Sequence, residues 1–196
     1  MLPEVFGLNA WVRSVADGLA AQGYPALAVP LFSRTVPDLE LAYDASDLAE
    51  GRRHKDATTS DQILADVAAA VSWLRARYPQ AAIQVAATLP GVEHAFDFLR
   101  CRLSRMRPGG GEPSLALLPE IKARLTCVFD MADPLIPPED REAIGAALSK
   151  VDTAGHRLRV VEYAGADHGF MCEARSAFHP QASAQGWRLL LAGDHV

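Results

Sequence analysis

Cysteine is scarce and unpatterned in this chain. Its 196 residues hold three, Cys101, Cys127 and Cys172, with no Cys-x-x-Cys spacing. An odd set of this kind argues against a disulfide framework or a zinc site and makes a reducing cytoplasm the default. No apolar run approaches the roughly 18 residues of a membrane span, so no membrane association is expected. Basic excess is also lacking. The net charge is −5 with both signs interspersed, which leaves no basic face for nucleic acid or an anionic membrane. Met1 is followed at once by Leu2, Pro3 and Glu4 without a basic n-region, which predicts no secretory signal. His54, His94, His156 and His179 show no metal-ligand spacing and read as surface or packing residues. No metal or other cofactor is therefore expected. Internal repeats and domain linkers are missing, and the low-complexity patch at 107–113 reads as a connection within a domain. With 49% hydrophobic residues the chain suffices for one domain, 1–196, with a real core.

The apolar residues that are there follow two periods. Asn9 is placed to cap a helix in which Trp11, Val12, Val15 and Leu19 share a face, and Gly23 ends it. Residues 24–29 read as a buried strand. The polar segment 33–58 keeps no steady period and reads as a long excursion with one short helix, of the kind that covers a site. Thr59-x-x-Gln62 matches a capping box. It opens a helix in which Ile63, Leu64, Val67, Val71 and Leu74 recur at three- and four-residue intervals until Pro79. Residues 81–86 read as a short strand, and 92–99 as helix or strand. Further β-rich runs lie at 125–129 and 156–163. Pro137 and Pro138 fit the first turn of a helix carrying Ile144, Leu148 and Val151, and a last helix covers about 182–191. Strands alternating with helices imply an α/β fold with a doubly wound, mostly parallel sheet.

Two loops carry the chemistry. Gly165-Ala166-Asp167-His168-Gly169-Phe170 follows the run at 156–163, where open α/β sheets place their ligand sites. An imidazole there suits proton transfer, because its ordinary pKa of about 6.5 makes both protonation states accessible. Alone, such a histidine reads as a surface residue in a glycine-requiring turn. A second loop, running from Asp130 through Asp133 to Pro138, follows the run at 125–129. An acid on one loop and a histidine on the next are two thirds of a nucleophile–base–acid triad, in the order found in α/β-hydrolases.

Six segments in order resemble the dienelactone hydrolase family of α/β-hydrolases. They are Pro-Glu-Val-Phe-Gly-Leu-Asn at 3–9 with the helix and strand to Phe32, the helix from Ile63, and 117–122. The others are Asp-Pro-Leu-Ile-Pro at 133–137, the histidine loop at 165–170, and Ser-Ala-Phe-His-Pro at 176–180. The resemblance implies Asp133 as triad acid and His168 as base, the acid holding the imidazole in the productive tautomer. It implies Glu4 as the glutamate that contacts the nucleophile before substrate arrives, and the Val5 N–H as an oxyanion donor. Arg52, Arg53 and Arg175 lie where substrate carboxylate is held in the founding enzyme, though charged loop residues are usually just solvated. The implied substrate is a small-molecule ester or lactone.

The family nucleophile is a cysteine in a Gly-x-Cys-x-Gly-Gly elbow, and this chain has no such segment. Ala87-Thr88-Leu89-Pro90-Gly91 is the elbow in one alignment, with Leu89 in place of cysteine. In the favoured alignment the elbow and most of its helix are missing, and 86–90 is only that helix's end. Cys101 has flanking arginines that favour a thiolate but no glycines for a sharp turn. Cys172 is on the wrong arm of the geometry, Cys127 reads as inert core, and Ser104 and Ser114 also lack an elbow. The nucleophile expected is therefore none. The N-terminus, too, is short of the family's first strands.

Three readings follow: a family hydrolase, a non-catalytic pseudoenzyme or small-molecule-binding relative, and a shortened version of an active hydrolase. Loss of an elbow helix and first strands predicts an uncovered sheet face and edge, hence marginal stability or self-association. A few hundred Å² of apolar face at roughly 25 cal/mol/Å² is several kcal/mol, comparable to a domain's net stability.

Overall fold

The computed structural model describes residues 1–80, 94–98 and 112–192. The strand expected at 81–86, both elbow alignments, Cys101 and Ser104 lie outside the described residues. Two units emerge, Met1–Ile83 and Gln84–Val196.

In the first unit, local signals place the helices. Asn9 caps α1 (Ala10–Ala21) by accepting the Val12 N–H at 3.1 Å, and Val12 and Val15 are buried on one face. Gly23, at φ +88°, takes the left-handed turn that follows. Asp44 caps α2 (Ala45–Asp56), whose last turn carries Arg53, His54 and Lys55 in keeping with the helix dipole. The capping box forms as the spacing requires. Thr59 accepts the Gln62 N–H, and the Gln62 side chain accepts the Thr59 N–H, opening α3 (Ser60–Arg77). Only Val67 and Val71 of the predicted stripe are buried, and Leu64 is 37% exposed.

Residues 24–29 are extended but form no strand, contrary to the sequence reading. Among the described residues their ladder stops at one residue: Val29 N–H donates to the Met1 carbonyl, and the Met1 amine to that of Leu27. The Glu4–Asn9 segment is held from the side. Leu8 N–H donates to Leu39 and Leu41 N–H to Phe6, while the Phe6 and Tyr43 rings meet edge-on.

The second unit is a parallel sheet in the order β1 (His94–Phe98), β2 (Arg124–Asp130), β3 (Leu158–Tyr163). Of the run at 92–99, the described residues His94–Phe98 are strand. All of β2 from Leu125 to Asp130 is buried, which is why it reads as a continuous apolar run. Leu125, Cys127 and Phe129 face a core with Ala95, Leu158, Leu118, Ile121 and Ile136. α4 (Pro138–Val151) supplies Ile144 and Leu148, one turn apart, to the same core. Each is worth about 1.5–3 kcal/mol of burial. Leu118 comes from a 3₁₀ segment, Ser114–Glu120, which the sequence patterning did not anticipate. Asp152 pins the start of β3, its carboxylate accepting the N–H groups of Arg157 and Leu158 at 2.6 and 2.8 Å. Those bonds, that of Leu158 foremost, hold the carboxyl below the usual range. α5 (Pro180–Ala192) closes the described chain, capped by His179, whose Nδ1 accepts the Ala182 N–H at 3.2 Å.

Candidate active site

β2 and β3 are neighbours in register, so the loops leaving their C-terminal ends emerge together. Met131 N–H donates to the Tyr163 carbonyl at 3.1 Å and Ala132 N–H to that of Ala166 at 3.0 Å. The histidine loop is shaped by Gly165 and Gly169, at φ +75° and +91°. A Cβ on Gly169 would also meet the Arg175 guanidinium at 2.6 Å. The left-handed conformation calls for glycine here, while the guanidinium, at the end of a flexible side chain, could shift to admit a Cβ.

This stitching brings Asp133 and His168 together. The imidazole Nδ1 lies 2.9 Å from Asp133 Oδ2, with the carboxylate fully buried and the ring 22% exposed. The second carboxylate oxygen, Oδ1, accepts the Leu135 N–H at 2.7 Å. A carboxylate has no proton to give, so the neutral imidazole carries its hydrogen on Nδ1 and donates it to Asp133. That tautomer leaves Nε2, across the ring, as the nitrogen able to take a proton. His168 N–H is itself fixed by Asp167 Oδ1 at 2.6 Å.

The remaining sequence-predicted residues divide between the units. Arg175 is half-buried and packs its guanidinium on Gly169, next to His168 in the chain. In the first unit, Glu4 and Val5 are half-buried. A Cβ on Gly51 of α2 would come within 2.3 Å of the Val5 carbonyl oxygen, so α2 fits there only because that residue is glycine. Arg52 and Arg53 are exposed on α2, and Arg53 pairs with Glu50 one turn back. Cys127 and Cys172 are buried. Among the described residues no three His, Cys, Asp or Glu side chains gather to hold a metal ion, and no helix is long and apolar enough to cross a membrane.

One site residue escaped the sequence reading. Asp130, the last residue of β2, is fully buried beside the pair. Its signal was a lone acid closing an apolar strand, which looks the same as the first residue of a solvated loop.

The chain resembles known proteins along nearly its whole length. A candidate carboxymethylenebutenolidase of Synechocystis sp. is 30% identical over 202 residues, 96% of this chain and 81% of that protein. A protein of the same designation from Salmonella typhi is 23% identical, over 97% of this chain and 74% of its own. Among solved structures, a candidate dienelactone hydrolase from Klebsiella pneumoniae has a TM-score of 0.76 at 23% identity, covering 97% of this chain and 83% of that one. A dienelactone hydrolase-like promiscuous phosphotriesterase from metagenomic libraries gives 0.68 at 18%, covering 97% and 82%. At such identities these two speak to the fold alone, and that fold is α/β-hydrolase-like. The dienelactone hydrolase family model matches residues 1–192, and with an acid and a histidine meeting on neighbouring strand ends, the chain belongs to the dienelactone hydrolase family.

Proposed function

We propose that this chain keeps the acid and base of an ester- or lactone-directed site and has lost the nucleophile, so that it turns over substrate slowly or not at all. The observation that carries the reading is the Asp133–His168 hydrogen bond, set beside a sequence with no Gly-x-Cys-x-Gly-Gly segment. In a complete triad, Nε2 of His168 would take the nucleophile's proton and later activate water. Asp133 would hold the imidazole and balance its charge. The Val5 N–H would stabilise a tetrahedral oxyanion, and Glu4 would contact the nucleophile at rest. Arg175 supports a ligand carboxylate or carbonyl beside His168, with Arg52 and Arg53 as further candidates. Removing the nucleophile of a triad enzyme costs about a million-fold in rate.

The ligand class is a small ester or lactone, bound without a cofactor by one domain spanning 1–196. The cysteine usage favours the cytoplasm. Binding without turnover, the role of a pseudoenzyme, is the alternative to a feeble hydrolase. Turnover of p-nitrophenyl acetate by purified protein tests the reading, with His168→Ala and cysteine alkylation as controls. Rates at the no-enzyme background support it. Turnover lost on both His168→Ala and alkylation would mean that a cysteine of this chain serves as nucleophile after all. The parent transcript decides the origin of the loss, by whether an elbow segment is encoded between Val85 and Ala86.

A further inference from the structure

Asp130 has no part in the scheme above, yet its surroundings are unusual. It is fully buried at the end of β2, and its carbonyl accepts the Asp133 N–H at 3.2 Å, closing a tight turn between the two acids. Asp133 has both carboxylate oxygens engaged, by Leu135 and His168. Neither carboxyl oxygen of Asp130 has a hydrogen-bond partner among the described residues. A buried carboxylate without donors, next to a second carboxylate, is strongly disfavoured against the neutral acid.

We propose that Asp130 is a third ionisable member of this site, a positioning residue that couples the charge of the Asp133–His168 pair to pH. Burial first, and then Asp133, push its carboxyl up to about 7; His168 pulls the other way, and Asp167 adds a little upward. These groups reach it from both loops. From β3, Tyr163 pairs with it in register, and burial raises that phenol, with Arg188 of α5 opposing and Asp130 adding. His168 is thus the group that favours Asp130 as an anion. Positive charge on the imidazole draws Asp130 toward the anion, while burial and the Asp133 carboxylate hold it neutral. Groups coupled in this way titrate together, and their midpoints belong to the set. On the acid side of neutrality Asp133 is the one carboxylate orienting the imidazole. On the alkaline side a second negative charge enters beneath it.

The inference rests on Asp133 and His168 forming an acid–base pair, not on turnover. It is tested by NMR titration of the full chain from pH 4 to 9, following aspartate carboxyl carbons and histidine ring nitrogens. The expected result is an Asp130 midpoint near 7, about three units above an ordinary aspartate, with the His168 ring signals registering the ionisation of Asp130 as a chemical-shift step. In Asp130→Asn, isosteric but unable to ionise, that step disappears while the Nδ1–H signal of His168 persists. An Asp130 midpoint near 4, or His168 curves superimposable with and without Asp130, overturns the proposal. The first of these needs no variant, so a substitution that fails to fold does not protect the idea. An inactive chain leaves the proposal standing. An active chain with an ordinary Asp130 titration removes this proposal alone.

Discussion

Asp133 and His168 stand 35 residues apart in sequence and 2.9 Å apart in space, joined by the Nδ1–Oδ2 hydrogen bond. Asp133 also accepts the Leu135 N–H, so it holds the imidazole and ties down its own loop. Asp133→Ala leaves both donors without that acceptor in a part-buried setting. The expected cost is about 1–3 kcal/mol, together with loss of the slowly exchanging His168 Nδ1–H resonance. A variant that melts like the wild type and keeps that resonance would show that the pair does not form in solution.

Asp130 makes a separate claim on stability. Its folded pKa is raised from 3.8 to about 7, so the folded chain holds a proton that the unfolded chain releases. The sign follows directly: this stabilisation is fully present below about pH 4 and is lost as pH rises through about 7. His94 works against it. Burial, with Arg124 and Arg159 adding to it, lowers His94 to about 4, so its contribution is lost as pH falls from 6.5. The two slopes oppose each other between pH 4 and 6.5, and comparison with Asp130→Asn separates them. Relative to wild type, that variant should gain roughly 2–4 kcal/mol between pH 4 and pH 8 in urea denaturation. A pH-independent difference between the two proteins would contradict the buried acid.

Gly169 is demanding for its conformation more than for its contact, since the near atoms belong to the mobile end of Arg175. Gly169→Ala must hold a side chain at φ +91° and displace the Arg175 guanidinium. The expected loss is about 1–3 kcal/mol. Adding Arg175→Ala should recover the part due to contact and leave the part due to backbone strain. Full recovery in the double variant would mean that the left-handed conformation carries no cost.

Solution behaviour is the fourth expectation. Leu64, Trp73 and Tyr78 on and just after α3 are 37%, 52% and 39% exposed. Exposed apolar groups favour association where they form one contiguous patch. Sizing chromatography should show concentration-dependent elution, reduced by Trp73→Glu. A sharp monomeric peak at all concentrations, with a cooperative melt at ordinary temperature, would contradict the expectation of a marginal or self-associating chain.

What the sequence determined by itself was whatever short-range chemistry decides. Asn9 and the Thr59–Gln62 box start helices because side-chain oxygens a few residues away satisfy the first N–H groups. Pro138 starts α4 because its fixed φ suits a first turn, and Gly165 and Gly169 mark the histidine loop because it needs left-handed backbone. Asp133 and His168 were legible only as a pair: alone the histidine reads as a surface residue, and the second loop with its acid changes that reading. Tertiary structure decided the rest. Residues 24–29 have the composition of a strand, but a ladder needs a partner, and among the described residues theirs is Met1 alone. The stripe on α3 predicts an apolar face without saying how much of it is covered. Asp130 depended on the fold most of all. An aspartate at a strand end is chemically ordinary until a neighbouring strand and two loops close around it, and only then does removal from water turn it into an acid that holds its proton near neutrality.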